Sequence, residues 1–323
     1  MTDTTTTTPA AGYTRTPAWQ TLGGFVRKDD GNMTAAEAME AAGLAGWNVR
    51  KEAMYTASGI EIPNRVATVR NDPKTGGTEY LGYVGHNYVI QQNEETFDFL
   101  DSIVDQSGAN YDAAGMMKNG ARVFMTMKMP EGIKIAGEDA HDLYLLGSNG
   151  HDGFHSFQIA VMPIRLACTN QLTMSLRGAK QSWKIRHTVN MAGRLDEARQ
   201  SLELTFDYMD EFSAEMERLL DQAYTEAEFD KLTQGLIPDG KTDATKARVA
   251  ERRGDLMHLF TEAETNAFGR GTKYAAFNAV TEYADWIAPM RGDRDGTKRA
   301  QRIMDGGTTQ DLKDYAHKVL VAA

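Results

Sequence analysis

The sequence predicts an α+β protein, with a mainly antiparallel sheet and a packed helix in its first part and a largely helical C-terminal part. Three observations carry this. Up to about residue 190, segments of alternating apolar and polar residues are separated by Gly, Asn and Pro turns, the pattern of hairpin-connected strands. Within that region Glu94 to Val104 breaks the alternation with Phe97, Leu100, Ile103 and Val104 at three- and four-residue spacing, the stripe of one amphipathic helix. From Leu195 onward helical periodicity takes over, with acids and bases mixed on the outer face.

Taken in order, Met1 to Thr16 is Thr-rich and too poor in apolar residues to offset its ordering entropy. Residues 1–30 are therefore predicted to be a disordered tail, residues 31–194 an α+β core domain and residues 195–323 a helical region. Thr34 to Gly43 reads as a helix, with Thr34 and Glu37 forming a capping box and a glycine ending it. Extended structure begins at Trp47 to Arg50. Arg65 to Asn71 and Glu79 to Gln91 both alternate, and the turn residues at 71–77 join them into a hairpin. Strands follow the helix at Ala113 to Met117 and Ala121 to Met129 across the turn Lys118 to Gly120, and again at Asp142 to Leu146 and Ser156 to Val161. The methionines at 116, 117, 125, 127 and 129 read as strand-face packing. Further helices are predicted at Leu195 to Tyr224, Ala227 to Leu232, Ala244 to Phe260, Tyr274 to Trp286, Thr297 to Met304 and Leu312 to Val321.

Apolar residues make up 41% of the 323 and charged residues 25%, ordinary globular values. One cysteine, Cys168, excludes an internal disulfide framework and a multi-cysteine zinc site, and fits a reducing, cytoplasmic setting. No run has the length of a membrane span, and no basic-then-apolar leader opens the chain. Gly82 and Gly85 make no dinucleotide fingerprint, so no cofactor is expected.

Charge is unevenly placed. The chain carries net charge -10, yet from Gly153 to Leu195 it holds no Asp or Glu. An even scatter would put about six there. The same stretch holds Arg165, Arg177, Lys180, Lys184, Arg186 and Arg194. One reading is a nucleic-acid contact, in which Arg177, Lys180, Lys184, Arg186 and Arg194 follow a phosphate backbone and Trp183 offers a base a stacking face. The other is internal: these bases pair with the acidic helices, since residues after 191 hold 18 Lys/Arg against 25 Asp/Glu.

Other groups have candidate chemistry and a plainer alternative. His151, Asp152 and His155 supply ligand types suited to a divalent cation. On a strand the two histidines would lie about 13 Å apart, and the Asn149 to Gly153 run also reads simply as a turn. Glu138, Asp139 and Asp142 beside His141 form an acidic cluster of the kind that holds Mg²⁺, or a solvated loop. Cys168 with Asn170 and His187 has the residue types of a cysteine nucleophile and its base, but the apolar run before Cys168 points to burial.

Several ordered segments resemble the phage/plasmid-like protein family, domain of unknown function 932. They are Gly46-Trp47-Asn48-Val49-Arg50, Leu81-Gly82-Tyr83-Val84-Gly85 with Tyr88 and Gln92-Asn93, and Ala114-Gly115. They continue with Gly137-Glu138-Asp139, residues 149–153, Arg165 to Asn170, Ile185 to Thr188, and Ala276 to Tyr283. The resemblance implies a mobile-element protein made in the cytoplasm of a bacterial host and associated with phage or plasmid DNA metabolism. With the basic stretch, it gives the leading expectation: a non-enzymatic protein that binds or anneals single-stranded DNA during replication or recombination, with no membrane role and with homo-oligomerisation left open. The alternatives are a metal-dependent enzyme acting on nucleic acid or nucleotides, and a protein-binding inhibitor of host defence.

Overall fold

The computed structural model describes residues 16–27, 33–172, 180–184 and 191–322, apart from residue 306 and the side chains of residues 191, 192, 194 and 195. The elements run α1 (Ala18–Leu22), β1 (Gly23–Val26), α2 (Ala35–Ala42), β2 (Arg50–Tyr55), β3 (Glu61–Asn71), β4 (Thr78–Val84), α3 (Asn93–Ser107), β5 (Asn110–Met117), β6 (Arg122–Lys128), β7 (Ile133–Ile135), β8 (Asp139–Gly150), β9 (Gln158–Arg165) and β10 (Ser182–Lys184). Six helices follow: α4 (Met191–Leu220), α5 (Glu226–Leu236), α6 (Asp243–Thr261), α7 (Lys273–Glu282), α8 (Thr297–Asp305) and α9 (Thr308–Ala322). This is the α+β order that the periodicities predict.

Local chemistry accounts for the element ends. At α2 the Thr34 hydroxyl accepts from the Glu37 amide at 3.3 Å while the Glu37 carboxylate accepts from the Thr34 amide at 2.8 Å, satisfying two of the helix's unpaired donors. Gly43 closes it at φ 69, a left-handed conformation that costs glycine nothing. Thr225 with Glu228 caps α5 in the same way.

A larger sheet has the strand order β1-β5-β6-β8-β9-β10, with β7 paired to β8, and every pairing is antiparallel. A smaller sheet is β2-β3-β4. Helices cover both faces of the larger sheet. On one face a continuous apolar cluster joins Phe97 and Leu100 of α3, Met125, Leu145 and Val161 of the sheet, Phe212 of α4 and Phe277 of α7. On the other face, α1 and α8 close over Phe124, Tyr144 and Met162. The apolar core therefore passes without a break from the strands into the C-terminal helices.

Two expectations need correction. The predicted tail reaches residue 30, but residues 18–26 are ordered as α1 and β1, and Trp19 is fully buried. Its ring meets Tyr144 edge-on at 4.8 Å and its indole N–H donates to Asp112 at 2.6 Å. Burying a tryptophan removes on the order of 200 Å² from water, worth several kcal/mol, and that offsets the ordering of this short segment. The Thr-rich residues 1–15 lie outside the described residues. Second, the alternation read from Glu79 to Gln91 gives a strand only as far as Val84. After it Lys51 donates to the His86 carbonyl at 2.6 Å, and the Gln92 side chain takes both backbone groups of Val49. The chain thus turns back against β2 before entering α3.

Candidate functional site

Beyond Leu172 the basic stretch is described at residues 180–184, whose strand β10 forms an edge of the larger sheet among the described residues. Its register sets Ser182 opposite Ala160, Trp183 opposite Ile159 and Lys184 opposite Gln158. The pleat sends these side chains alternately to the two faces. Trp183 goes to the core face, half-buried among apolar side chains, and its indole N–H donates to Ser201 of α4 at 3.0 Å. The ring anchors β10 to α4, so it is not the open stacking face that the sequence suggests. Lys180 and Lys184 are exposed, and neither forms an ion pair with a described residue. Arg177 and Arg186 lie outside the described residues, and the side chain of Arg194, on the first turn of α4, lies outside them too.

Lys184 stands at the end of a cross-strand row through Gln158 and Ser148 to Phe124. Ser148 shares a 2.9 Å hydrogen bond with His155 Nε2. In the next row Arg122 faces Gly150, and Arg122 and Lys118 both pair with Asp305 at the end of α8, the lysine at 3.0 Å.

The histidines of the turn after β8 serve packing. His151 is buried, stands 5.8 Å from the Trp47 ring, and its Nε2 lies 2.9 Å from Asn93 Oδ1. Since the Asn93 amide nitrogen donates to the Leu44 carbonyl, its oxygen is free to accept, and His151 must be the donor. Burial pushes the His151 pKa down to about 4. His155 is likewise lowered to about 4, by partial burial and by Arg122. Among the described residues no group of three or more His, Cys, Asp or Glu side chains is arranged to hold a metal ion. His151 and His155 each have a ring nitrogen committed to a protein partner.

The acidic cluster divides in the same spirit. Asp142 pairs with Lys128 at 2.6 Å. Asp139 is buried and accepts from Arg165 Nε at 2.5 Å and from the Tyr274 hydroxyl. Arg165, the first base of the acid-free stretch, is thus wholly interior: it also donates to Asn266 at 3.0 Å and lies 5.5 Å from the Tyr274 ring centroid. Cys168 is buried against Arg165 and Asn170. Burial drives its thiol pKa up to about 12, with Glu282 adding to the shift and Arg165 opposing it. A thiol held protonated in this way is no nucleophile, and His187 lies outside the described residues. The loop continues by tying Asn170 to Thr281 at 2.5 Å and the Gln171 amide to Asp285 at 3.0 Å. Asp285, in a single π turn after α7, forms a fully buried ion pair with Lys313 of α9 at 2.7 Å.

The smaller sheet presents a surface that alternation alone does not reveal. Its inner face sits on the body: Arg70 lies 3.9 Å from the Trp47 ring centroid, Thr68 donates to the His151 carbonyl at 2.7 Å, and a Cβ on Gly82 would strike Asp152 at 2.7 Å. On β4, Tyr80 faces Val69 and Gly82 faces Thr68, leaving Leu81 as an extra residue. Such a bulge shifts the phase of the pleat, so Tyr80 and Tyr83, three apart, both point outward at 57% and 47% exposure while Leu81 stays buried. Arg65 lies 5.8 Å from the Tyr83 ring centroid.

A family model described as a domain of unknown function (DUF932) matches residues 80–304. The chain belongs to that family. No curated protein and no solved structure matches it. Six of the segments that resemble the family come together in space at two buried polar nodes, while residues 185–188 lie outside the described residues. Residues 46–50, 81–93 and 149–153 meet around Trp47, Asn93 and His151, and residues 137–139, 165–170 and 276–283 meet around Arg165. Both nodes are interior. Among the described residues no helix is long and apolar enough to cross a membrane.

Proposed function

We propose that this DUF932 chain binds single-stranded nucleic acid, single-stranded DNA first of all, along strand β10 and the basic residues on either side of it. The carrying observation is that Lys180 and Lys184 are exposed without an acidic partner among the described residues, inside a stretch that contains no carboxylate from Gly153 to Leu195. In a chain of net charge -10, a cationic strand from a stretch that holds no carboxylate of its own is suited to a polyanion. Arg177, Arg186 and Arg194 belong to the proposed contact by sequence position. Trp183 holds the strand to α4. The resemblance to phage/plasmid-like proteins supports a non-enzymatic accessory role in phage or plasmid DNA replication or recombination, in a bacterial cytoplasm.

Fluorescence anisotropy of a labelled oligo-dT across a salt series tests this. Each neutralised phosphate on a single strand contributes about -0.7 to the slope of log K against log salt. Replacing Lys180 and Lys184 together by alanine is expected to weaken binding and flatten that slope by about 1.4. Absence of binding by the intact chain at low salt, or an unchanged slope in the double variant, overturns the proposal.

A further inference from the structure

We infer that the outward face of the smaller sheet is a base-stacking platform for single-stranded nucleic acid, built from Tyr80 and Tyr83 with Arg65 beside them. The inference rests on the nucleic-acid reading above but concerns a different surface and a different kind of contact.

An antiparallel sheet with one face on the body ordinarily turns polar residues to solvent on the other. Here the inner face is fully occupied by the packing of Thr68, Arg70, Leu81 and Gly82. The outer face nevertheless carries two tyrosine rings about half exposed. Tyr80 stands against the buried Val69, yet both rings keep about half their surface open to solvent, and the bulge at Leu81 is what places them together: without the extra residue, one of the two would point inward. Tyr80 and Tyr83 stand opposite Val69 and Ala67, two residues apart on β3. Their attachment points are therefore separated by about 6.6 Å along the sheet, which leaves each ring free to take a separate base.

Charge complementarity identifies the occupant. The charged residues in register on this face are Arg50, Glu52 and Arg65. Glu52 is taken by Arg50 at 2.9 Å, which leaves Arg65 without an acidic partner among the described residues and the face with one net positive charge. The acid Glu79 belongs to the other face, where it pairs with the buried Arg70 at 2.5 Å. Aromatic rings with an adjacent guanidinium are how sheet surfaces hold unstacked bases, because every base offers a π-face and its phosphate a negative charge. Trp183 is committed to Ser201, whereas Tyr80 and Tyr83 offer two open rings on one face with a guanidinium beside them.

The test uses the full chain with Tyr80 and Tyr83 replaced together by alanine, and together by phenylalanine, with circular dichroism confirming the fold. Oligo-dT affinity is measured across the same salt series, and an oligonucleotide carrying 5-bromodeoxyuridine is photo-cross-linked and its attachment mapped by mass spectrometry. Stacking predicts that the alanine pair binds at least about thirtyfold more weakly with an unchanged salt slope, that the phenylalanine pair binds like the parent, and that adducts form on Tyr80 or Tyr83. If the parent binds and the alanine pair binds equally well, the platform is refuted while the β10 proposal stands. If the parent binds no oligonucleotide at any salt, both fall. Loss of a dimer in sedimentation of the alanine pair, with oligonucleotide affinity unaltered, would assign the face to a second copy of the chain and overturn the inference.

Discussion

Acidification from pH 7 toward pH 4 should destabilise this protein, because two of its histidines are buried in the neutral form. His141 and His151 are each 1% exposed. His141 shares a hydrogen bond between Nδ1 and the Asp139 carbonyl at 2.9 Å, while its Nε2 has no partner among the described residues and the Phe212 ring stands edge-on at 5.9 Å. A second proton on that ring would place an N–H in apolar surroundings. Burial lowers both pKa values from 6.5 to about 4. Between pH 6.5 and 4 the unfolded chain therefore binds more protons than the folded one, and stability is full above pH 6.5 and falls as pH drops through this window. Each histidine contributes a slope of about 1.4 kcal/mol per pH unit in the middle of the window. The loss approaches about 3 kcal/mol per histidine by pH 4. Urea unfolding followed by tryptophan fluorescence at several pH values from 7.5 to 4.5 measures it. The variant His151→Gln keeps a donor for Asn93 but has no proton to gain, so it should be less stable at pH 7 and show a slope smaller by about 1.4 kcal/mol per pH unit. A parent whose stability is level from pH 7 to pH 5, or a His151→Gln slope equal to the parent's, refutes the reasoning.

Two further outcomes follow from the buried contacts. Arg165→Met leaves the Asp139 carboxylate in the interior with only the Tyr274 hydroxyl, and should cost about 3–5 kcal/mol in urea unfolding; Asp139→Leu combined with Arg165→Met should recover most of that loss, and a cost for the single variant below about 1 kcal/mol would show that water reaches the site. Trp183→Phe keeps the ring but strands the Ser201 hydroxyl, and should cost about 1 kcal/mol, with Trp183→Ala costing about 2–4 because the packing goes too; equal stability of parent and phenylalanine variant would mean the indole N–H is not anchoring β10.

How much was legible in the residues depends on the range of the interaction that decides each position. The α2 boundaries were readable because Thr34, Glu37 and Gly43 act within a few residues of one another. The α3 stripe and the hairpin around Lys118 to Gly120 are equally local. Arg165 was not readable as a core residue: its partners Asp139, Asn266 and Tyr274 are 26, 101 and 109 positions away, and a lone arginine in a basic stretch carries no sign of them. Trp19 was hidden for a related reason, since the Thr-rich composition before it says nothing about Asp112 and Tyr144 waiting to receive it. The tyrosine pair of β4 was concealed by the bulge, because strict alternation assigns Tyr80 and Tyr83 to opposite faces. Among the proposed contact residues, Lys180 and Lys184 were visible as charge, whereas the inward turn of Trp183 depends on the β9 register.

The ion pair between Asp285 and Lys313, together with the loop 165–172 that it helps to clasp, has a bearing on how the molecule comes into being. A growing chain presents Arg165 long before Tyr274, and Asp285 before the lysine that neutralises it. Arg165 has its counter-ion Asp139 from the start, but a partial product that includes Asp285 and ends before Lys313 would hold a carboxylate in a would-be interior with no counter-ion. The loop 165–172 and the turn after α7 are thus obliged to wait for α9 before they can settle, and this part of the protein should mature late. Fragments cut anywhere before Lys313 would then be poor tools for locating its activity, and single substitutions in the intact chain would be the reliable ones.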